Sequence, residues 1–202
     1  MPVDQSLYNT GVKEPSTQPF VSRGGIKLAA ALDAFGLDVS GFVCADLGCN
    51  VGGFTDCLLK RGAARVYAMD TGYGSLAWGL RNDPRVVVME RTNAMHVEAP
   101  VGCVDLVVVD LGWTKQRHAI PAALRWNPGQ IVTLVKPHYE SPPERGGVHG
   151  AEESLRVFGR VKGEMAGLGV RVVGEVESPI LGGGGKGRAG NREYLLWLHP
   201  VR

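Results

Sequence analysis

The chain has no apolar run near the ~20 residues that cross a bilayer core, and its opening stretch, MPVDQSLYNTGVKEP, lacks the hydrophobic centre of a secretory signal. The expectation is a cytoplasmic protein with no membrane partner. Cysteine is scarce: Cys44, Cys49, Cys57 and Cys103 form no C-x-x-C, and only five histidines are scattered along the sequence. A structural zinc site is therefore disfavoured, and no metal is expected. In that compartment a disulfide is also disfavoured, and Cys44, Cys57 and Cys103 read as small core residues. Charge of either sign is not in excess. A net charge of +2 neither requires nor forbids a nucleic-acid partner. What is abundant is glycine, 29 residues in 202, about twice the usual ~7%. With no G-X-Y period, that surplus points to tight turns and ligand loops.

A length of 202 residues suits one domain with at most a small appendage. Residues 1–20 are polar, with prolines at 2, 15 and 19, and read as an arm; the domain runs over 21–202. VSRGGIKLAAALDAF has helical spacing of Ile26, Leu28, Ala29, Leu32 and Phe35, stopped by Gly36. Strands follow, ending near Leu47, Asp70, Glu90 and Asp110. Between them lie a helix opened by Gly52 and Gly53, and one capped by Ser75. A helical stretch spans about 115–125, Pro128-Gly129 forms a turn, and QIVTLVKP is a strand. After a loop over 140–150, residues 151–169 read as a helix weakened by internal glycines. Two strands close the chain, joined by the glycine-rich loop Gly182–Gly190 without a helix. Alternation of strand and helix predicts an α/β fold: a mostly parallel sheet, helices on both faces, and one antiparallel strand.

The stretch Asp46-Leu-Gly48-Cys49-Asn50-Val-Gly52-Gly53-Phe54 lies between the first strand and its helix. Ligands of open parallel sheets bind at the carboxyl ends of strands, where glycines admit them to the backbone and a helix start offers free N–H groups. The spacing is G-x-x-x-G-G. It is neither the dinucleotide fingerprint G-x-G-x-x-G nor a P-loop, which would need G-K-[ST]. By itself it also fits an ordinary glycine turn. Asp70, 24 positions after Asp46 at the end of the second strand, changes the weighting. A carboxylate there accepts hydrogen bonds from two ribose hydroxyls. Asn93, just past the third strand, stands where an adenine edge would lie. An adenosine site without a pyrophosphate cradle fits S-adenosylmethionine better than NAD.

These and other stretches together make the sequence similar to the FtsJ-like RNA 2′-O-methyltransferases, most closely the TlyA, hemolysin-like, ribosomal branch. The resemblance is carried by Val21 to Leu28 (VSRGGIKL), Asp46 to Leu58, Met69 to Gly74 (MDTGYG), Asn82 to Asn93 (NDPRVVVMERTN), Asp105 to Asp110, Leu134 to Pro137 (LVKP) and Asn191 to Trp197 (NREYLLW). It runs from about residue 20 to the last residues. It implies a Rossmann-like class I methyltransferase fold with a seven-stranded sheet, S-adenosylmethionine as cofactor, and RNA, ribosomal RNA or a ribosomal subunit, as partner. It also implies a catalytic tetrad of Lys27, Asp110, Lys136 and Glu193. Asp46, Gly48, Cys49, Asn50, Gly52, Gly53, Phe54, Asp70, Asn93 and Asp110 are the implied cofactor-binding set. Tyr73 and Trp78 are candidates for base stacking or the core, with the core favoured for Trp78.

The tetrad makes chemical sense. A ribose 2′-hydroxyl is a poor nucleophile, so its proton must leave as the methyl arrives. A lysine accepts that proton only if its pKa falls, through desolvation or a second cation. Lys27 is expected to be that cation beside Lys136, with Asp110 and Glu193 orienting both amines. Two departures from the branch stand out. Its N-terminal S4-type RNA-binding domain has no counterpart in the polar first 20 residues, so a partner protein or oligomer is expected in that role. After Asp110 the chain reads Leu-Gly-Trp-Thr-Lys-Gln-Arg-His where the branch is apolar. Arg23, Lys115, Arg117, Arg145, Lys186 and Arg188 are candidate phosphate contacts. The alternatives are a methyltransferase of the same fold with a non-RNA substrate, and a non-catalytic RNA- or ribosome-associated protein.

Overall fold

A computed structural model describes residues 18–141, 148–183 and 190–201. Arg145, Lys186, Arg188 and nearly all of the polar arm lie outside the described residues.

The first helix, α1 (Arg23–Phe35), starts after Ser22 in extended conformation and stops at left-handed Gly36, whose N–H caps the carbonyls of Asp33 and Leu32. Leu28, Ala31 and Leu32 form its buried face. Then β1 (Val43–Leu47), α2 (Gly53–Lys60), β2 (Arg65–Met69), α3 (Trp78–Arg81), β3 (Val86–Met89), β4 (Val104–Val109), α4 (Gln116–Leu124) and β5 (Pro128–Val135) alternate as expected. A short α5 (Pro137–Glu140), α6 (Ala151–Glu164) with a 3-10 turn, β6 (Val170–Glu177) and β7 (Tyr194–Pro200) complete the chain.

The seven strands form one sheet in the order β3-β2-β1-β4-β5-β7-β6. β1 to β5 pair in parallel. β7 runs antiparallel to both β5 and β6, and is the one reversed strand. This is the Rossmann-like, doubly wound arrangement. Two apolar cores cover its faces. One gathers residues of α4 and α6 around fully buried Trp126, which meets Tyr67 at 5.6 Å. The other packs α1, α2 and α3 against Cys44, Leu106 and Leu195. Burying a large apolar side chain there stabilises the fold by about 1.5–3 kcal/mol.

Register does the positioning. Leu47 pairs with both Met69 and Val109, so Gly48, Asp70 and Asp110 emerge side by side. Val135 pairs with Tyr194, so Lys136 and Glu193 follow at the same edge.

Several expectations are corrected. Ser75 does not cap α3, which begins at Trp78 after Ala77. Leu76 is buried, and the Ala77 N–H donates to the Val51 carbonyl at 3.0 Å, which pins the chain and delays the helix. Pro128 and Gly129 open β5 rather than forming a turn; proline is tolerated at the first residue of a strand. The bend lies at Asn127, in left-handed conformation with φ 46°. Residues 137–140 form α5 where no helix was expected. Cys103 and Trp78 are exposed, not core; Trp78 faces solvent at the first position of a one-turn helix. All four cysteines are free thiols. Among the described residues no helix is long and apolar enough to cross a membrane, and no cluster of metal-binding side chains occurs.

Candidate active site

At the carboxyl edge of the sheet the chain turns sharply at Gly48, with φ 93°. A Cβ there would lie 2.5 Å from the Asp110 carbonyl oxygen, so only glycine lets β1 and β4 release their chains this close together. The N–H groups of Gly48 and Cys49 both donate to the Met69 carbonyl at 2.9 Å, tying the loop to β2. Asp70 is held by two backbone donors: Asn50 N–H to Oδ2 at 2.9 Å and Gly72 N–H to Oδ1 at 2.7 Å. Each carboxylate oxygen keeps a further lone pair for a ligand hydroxyl.

A cavity of about 600 Å³ opens in front of this edge, lined among others by Gly48, Asn50, Asp70, Asn93, Asp110 and Lys136. That volume falls within the range of small-molecule sites. A second hollow of about 390 Å³ shares Gly48, Asn50 and Asp110 and adds Lys27, Gly53 and Phe54, with Cys49 also in its wall. Asn93 turns its Oδ1 to the Met95 N–H at 2.9 Å, which orients the amide.

Asp46 and Gly52 line neither hollow. Asp46 is fully buried beneath the loop and accepts the Thr55 hydroxyl at 2.7 Å. Burial pushes its carboxyl up to about 7, with the charges of Asp110 and Asp70 adding to that and Thr55 opposing it. Gly52 faces Leu80 and Leu76, which a Cβ would meet at 2.4 and 2.7 Å. Both residues shape the loop from behind.

The tetrad residues converge, as two ion pairs. Lys27 pairs with Glu193 across 166 positions of sequence; the two are 8% and 3% exposed. Lys136 pairs with Asp110 at the mouth of the larger cavity. Lys27 reaches this place because α1 docks tightly on α2: a Cβ on Gly53 would sit 2.2 Å from Ser22 Oγ and 2.8 Å from the Gly25 nitrogen. The Val21 N–H donating to Asp56 Oδ2 at 2.9 Å holds the entry to α1.

Lys136 departs from the expectation of a lowered pKa. Burial pulls its ammonium down, but Asp110 alongside it, with Glu193 and Tyr139 further off, leaves it above the ordinary lysine value. The carboxylates outweigh any second cation here.

The sequence matches the model of the FtsJ-like methyltransferases over residues 20–199. It is 46% identical over 191 residues to the 16S/23S rRNA (cytidine-2′-O)-methyltransferase TlyA of Mycobacterium tuberculosis, covering 91% of this chain and 69% of that protein. The chain belongs to the FtsJ-like methyltransferase family. Hemolysin A of Brachyspira hyodysenteriae is 36% identical over 187 residues, covering 87% of the FtsJ-like chain and 75% of its own length. A hemolysin-like structure from Streptococcus thermophilus superposes with a TM-score of 0.84 at 35% identity, covering 93% and 70% of the two chains.

Three residues of this FtsJ-like site escape a sequence reading. His138 follows Pro137 on α5 and packs on Tyr139 with ring centres 4.2 Å apart. Burial first, then the charges of Lys136, His149 and Lys27, push its imidazole down to about 4, so it is neutral at pH 7. Trp113 is 84% exposed, adopts left-handed φ 57°, and stacks on Tyr139 at 4.5 Å. Tyr139 in turn lies under the Lys136 ammonium, 5.5 Å from ring centre to nitrogen. The only sequence hint was the unusual run after Asp110. Tyr73 is exposed and covered by Arg91 at 4.3 Å. Arg23 donates to the Leu181 carbonyl, tying α1 to the chain that leads into Glu193.

Proposed function

We propose that the protein is an S-adenosylmethionine-dependent RNA methyltransferase that modifies a ribose 2′-hydroxyl, with ribosomal RNA as its substrate. The observation that carries this reading is a pair of lysine–carboxylate contacts beside one another: Lys136–Asp110 lines the cavity that holds Asp70, and Lys27, paired with Glu193, lines the smaller hollow that shares Asp110 with it.

The cavity suits the cofactor. Asp70 presents a fixed carboxylate to a ribose, Asn93 a side-chain amide to an adenine edge, and Gly48 and Asn50 complete the wall from the loop after β1. When bound, S-adenosylmethionine supplies an electrophilic methyl on a cationic sulfonium, and that charge opposes the pull of Asp110 on the Lys136 ammonium. Lys136 then acts as general base, taking the proton of the 2′-hydroxyl at Nζ. Asp110 orients that amine. Lys27 and Glu193, buried behind it, hold the second pair rigid, and alignment of hydroxyl, methyl and sulfur contributes much of the rate. Trp113, flat and exposed beside Tyr139, offers a face on which a base stacks.

The test is incubation of the purified protein with methyl-labelled S-adenosylmethionine and total RNA, followed by nuclease mapping. Label on a ribose of ribosomal RNA is the expected result. Label on a base, or none in RNA, refutes the reading.

A further inference from the structure

Beyond the cavity in front of Asp70 and the hollow beside it lies a third cavity, which the tetrad does not line. It measures about 590 Å³ and is built on α4. Lys115, His118, Ala122 and Arg125 line it at i, i+3, i+7 and i+10 spacing, one face of the helix. Arg117 and His96 add to the same wall.

Its charge is of one sign. No carboxylate lines it, and none of Lys115, Arg117 and Arg125 takes part in an ion pair among the described residues. Glu98 lines an adjoining hollow that also contains Arg125, and not this one. Two of the cations are held in place. Arg125 Nη1 donates to the Met95 carbonyl at 2.6 Å, and Arg117 Nε donates to His118 Nε2 at 3.1 Å.

The two cavities adjoin: Met95, Trp113 and Thr114 line both. Trp113 therefore stands as a ridge between the Lys136–Asp110 pair and the α4 cations. A strand that presents one ribose to Lys136 crosses this ridge with its next nucleotide and carries its phosphodiesters into the basic hollow.

We propose that the α4 cavity is a backbone-binding subsite for single-stranded RNA, holding the phosphates next to the target nucleotide. This rests on the function proposed above and assigns the strand's path out of that site. Phosphate contacts position a strand without reading its sequence, so the subsite fixes register and leaves base selection to other groups.

The probe is a fluorescently labelled, mixed-sequence single-stranded RNA oligonucleotide, titrated by anisotropy between about 50 and 200 mM salt. Arg117→Ala/Arg125→Ala is compared with wild type and with Arg65→Ala/Arg171→Ala. The last removes two exposed arginines near the opposite, amino-terminal ends of β2 and β6. Each lost phosphate contact lowers the slope of log affinity against log salt by about 0.7 for single strands. The α4 variant is expected to lose about 1.4 in slope, with affinity down about tenfold at low salt. The control pair is expected to keep the wild-type slope, and both variants the wild-type affinity for S-adenosylmethionine. Arg117→Ala alone, whose side chain bonds among the described residues only to His118, gives a loss of about 0.7 and carries the test if the double variant unfolds. Wild-type RNA binding with an unchanged slope in the α4 variants overturns this inference alone, as does an equal loss in the control. No RNA binding by the wild type at any salt overturns the proposed function and this inference with it.

Discussion

Gly182 lies against the carboxylate of Glu193 with no room for a methyl between them: an added Cβ would sit 1.8 Å from Oε1 and 2.1 Å from Cδ. Glu193 cannot yield outward, because it is 3% exposed and paired with Lys27. Gly182 also exchanges two backbone hydrogen bonds with Asn191 at 2.8 Å, which fixes the approach. Gly182→Ala is therefore expected to displace Glu193 and lower methyl transfer at least about tenfold, while binding of S-adenosylmethionine changes little. Parallel titration and turnover assays check this; equal activity would mean that Glu193 tolerates the shift. The glycine substitution is a gentler probe than Lys27→Ala, since stripping one partner from a buried ion pair costs about 3–5 kcal/mol of stability.

Lys136 is the more direct target, being nearer the surface than Lys27. Removing a general base costs about 10²–10⁴ in rate. Lys136→Ala is expected to lose that much transfer activity and to keep cofactor affinity within about threefold. Because Asp110 holds the Lys136 ammonium above the ordinary lysine value, the neutral amine is scarce at pH 7. Single-turnover rates should rise steadily as pH increases into the alkaline range. A flat profile would assign Lys136 a purely electrostatic role.

Asp70 is expected to matter for binding and not for chemistry. Hydrogen bonds to a charged group contribute about 1.5–3 kcal/mol each. Asp70→Ala should weaken S-adenosylmethionine at least about tenfold by calorimetry, with Asp70→Asn intermediate because it keeps the shape that Asn50 and Gly72 grip. Unchanged affinity would remove Asp70 from the ribose.

Asp46 makes a prediction about stability. Its folded-state pKa, about 7, lies above the ordinary 3.8, so the folded protein binds a proton that the unfolded chain releases first. The associated stability is fully present below about pH 4 and is lost as pH rises through about 7. His138, pushed down to about 4, works in the opposite sense across much of the same window. The difference between wild type and Asp46→Asn isolates the first effect. Urea midpoints at pH 5 and pH 8 should show the variant gaining on wild type at the higher pH. An identical pH dependence in both proteins would mean that Asp46 is ionised throughout.

The strands were legible because runs such as Val104–Val109 are short, apolar and rich in β-branched valine, which fits a buried strand. Asp110 and Lys136 were legible for the same reason, each following a buried strand that delivers it to the ligand edge. Lys27 and Glu193 came only with the family resemblance; nothing local marks a lysine on α1 as the partner of a glutamate 166 positions away. The insertion of β7 between β5 and β6, which makes that pairing, depends on long-range register that no short window contains. Asp46 looked like part of the ligand wall because it borders the glycine loop, yet it lies fully buried at the end of β1. Trp78 was favoured as core over base stacking, and a helix of one turn leaves it in solvent.

The pairing of Lys27 with Glu193 has a consequence for biosynthesis. Translation delivers every residue lining the cavity in front of Asp70 by Tyr139, but Glu193 arrives more than fifty codons later. Ribosome-arrested chains that stop short of Glu193 are therefore expected to show no turnover, so that activity begins only once the last strand of the sheet has been made.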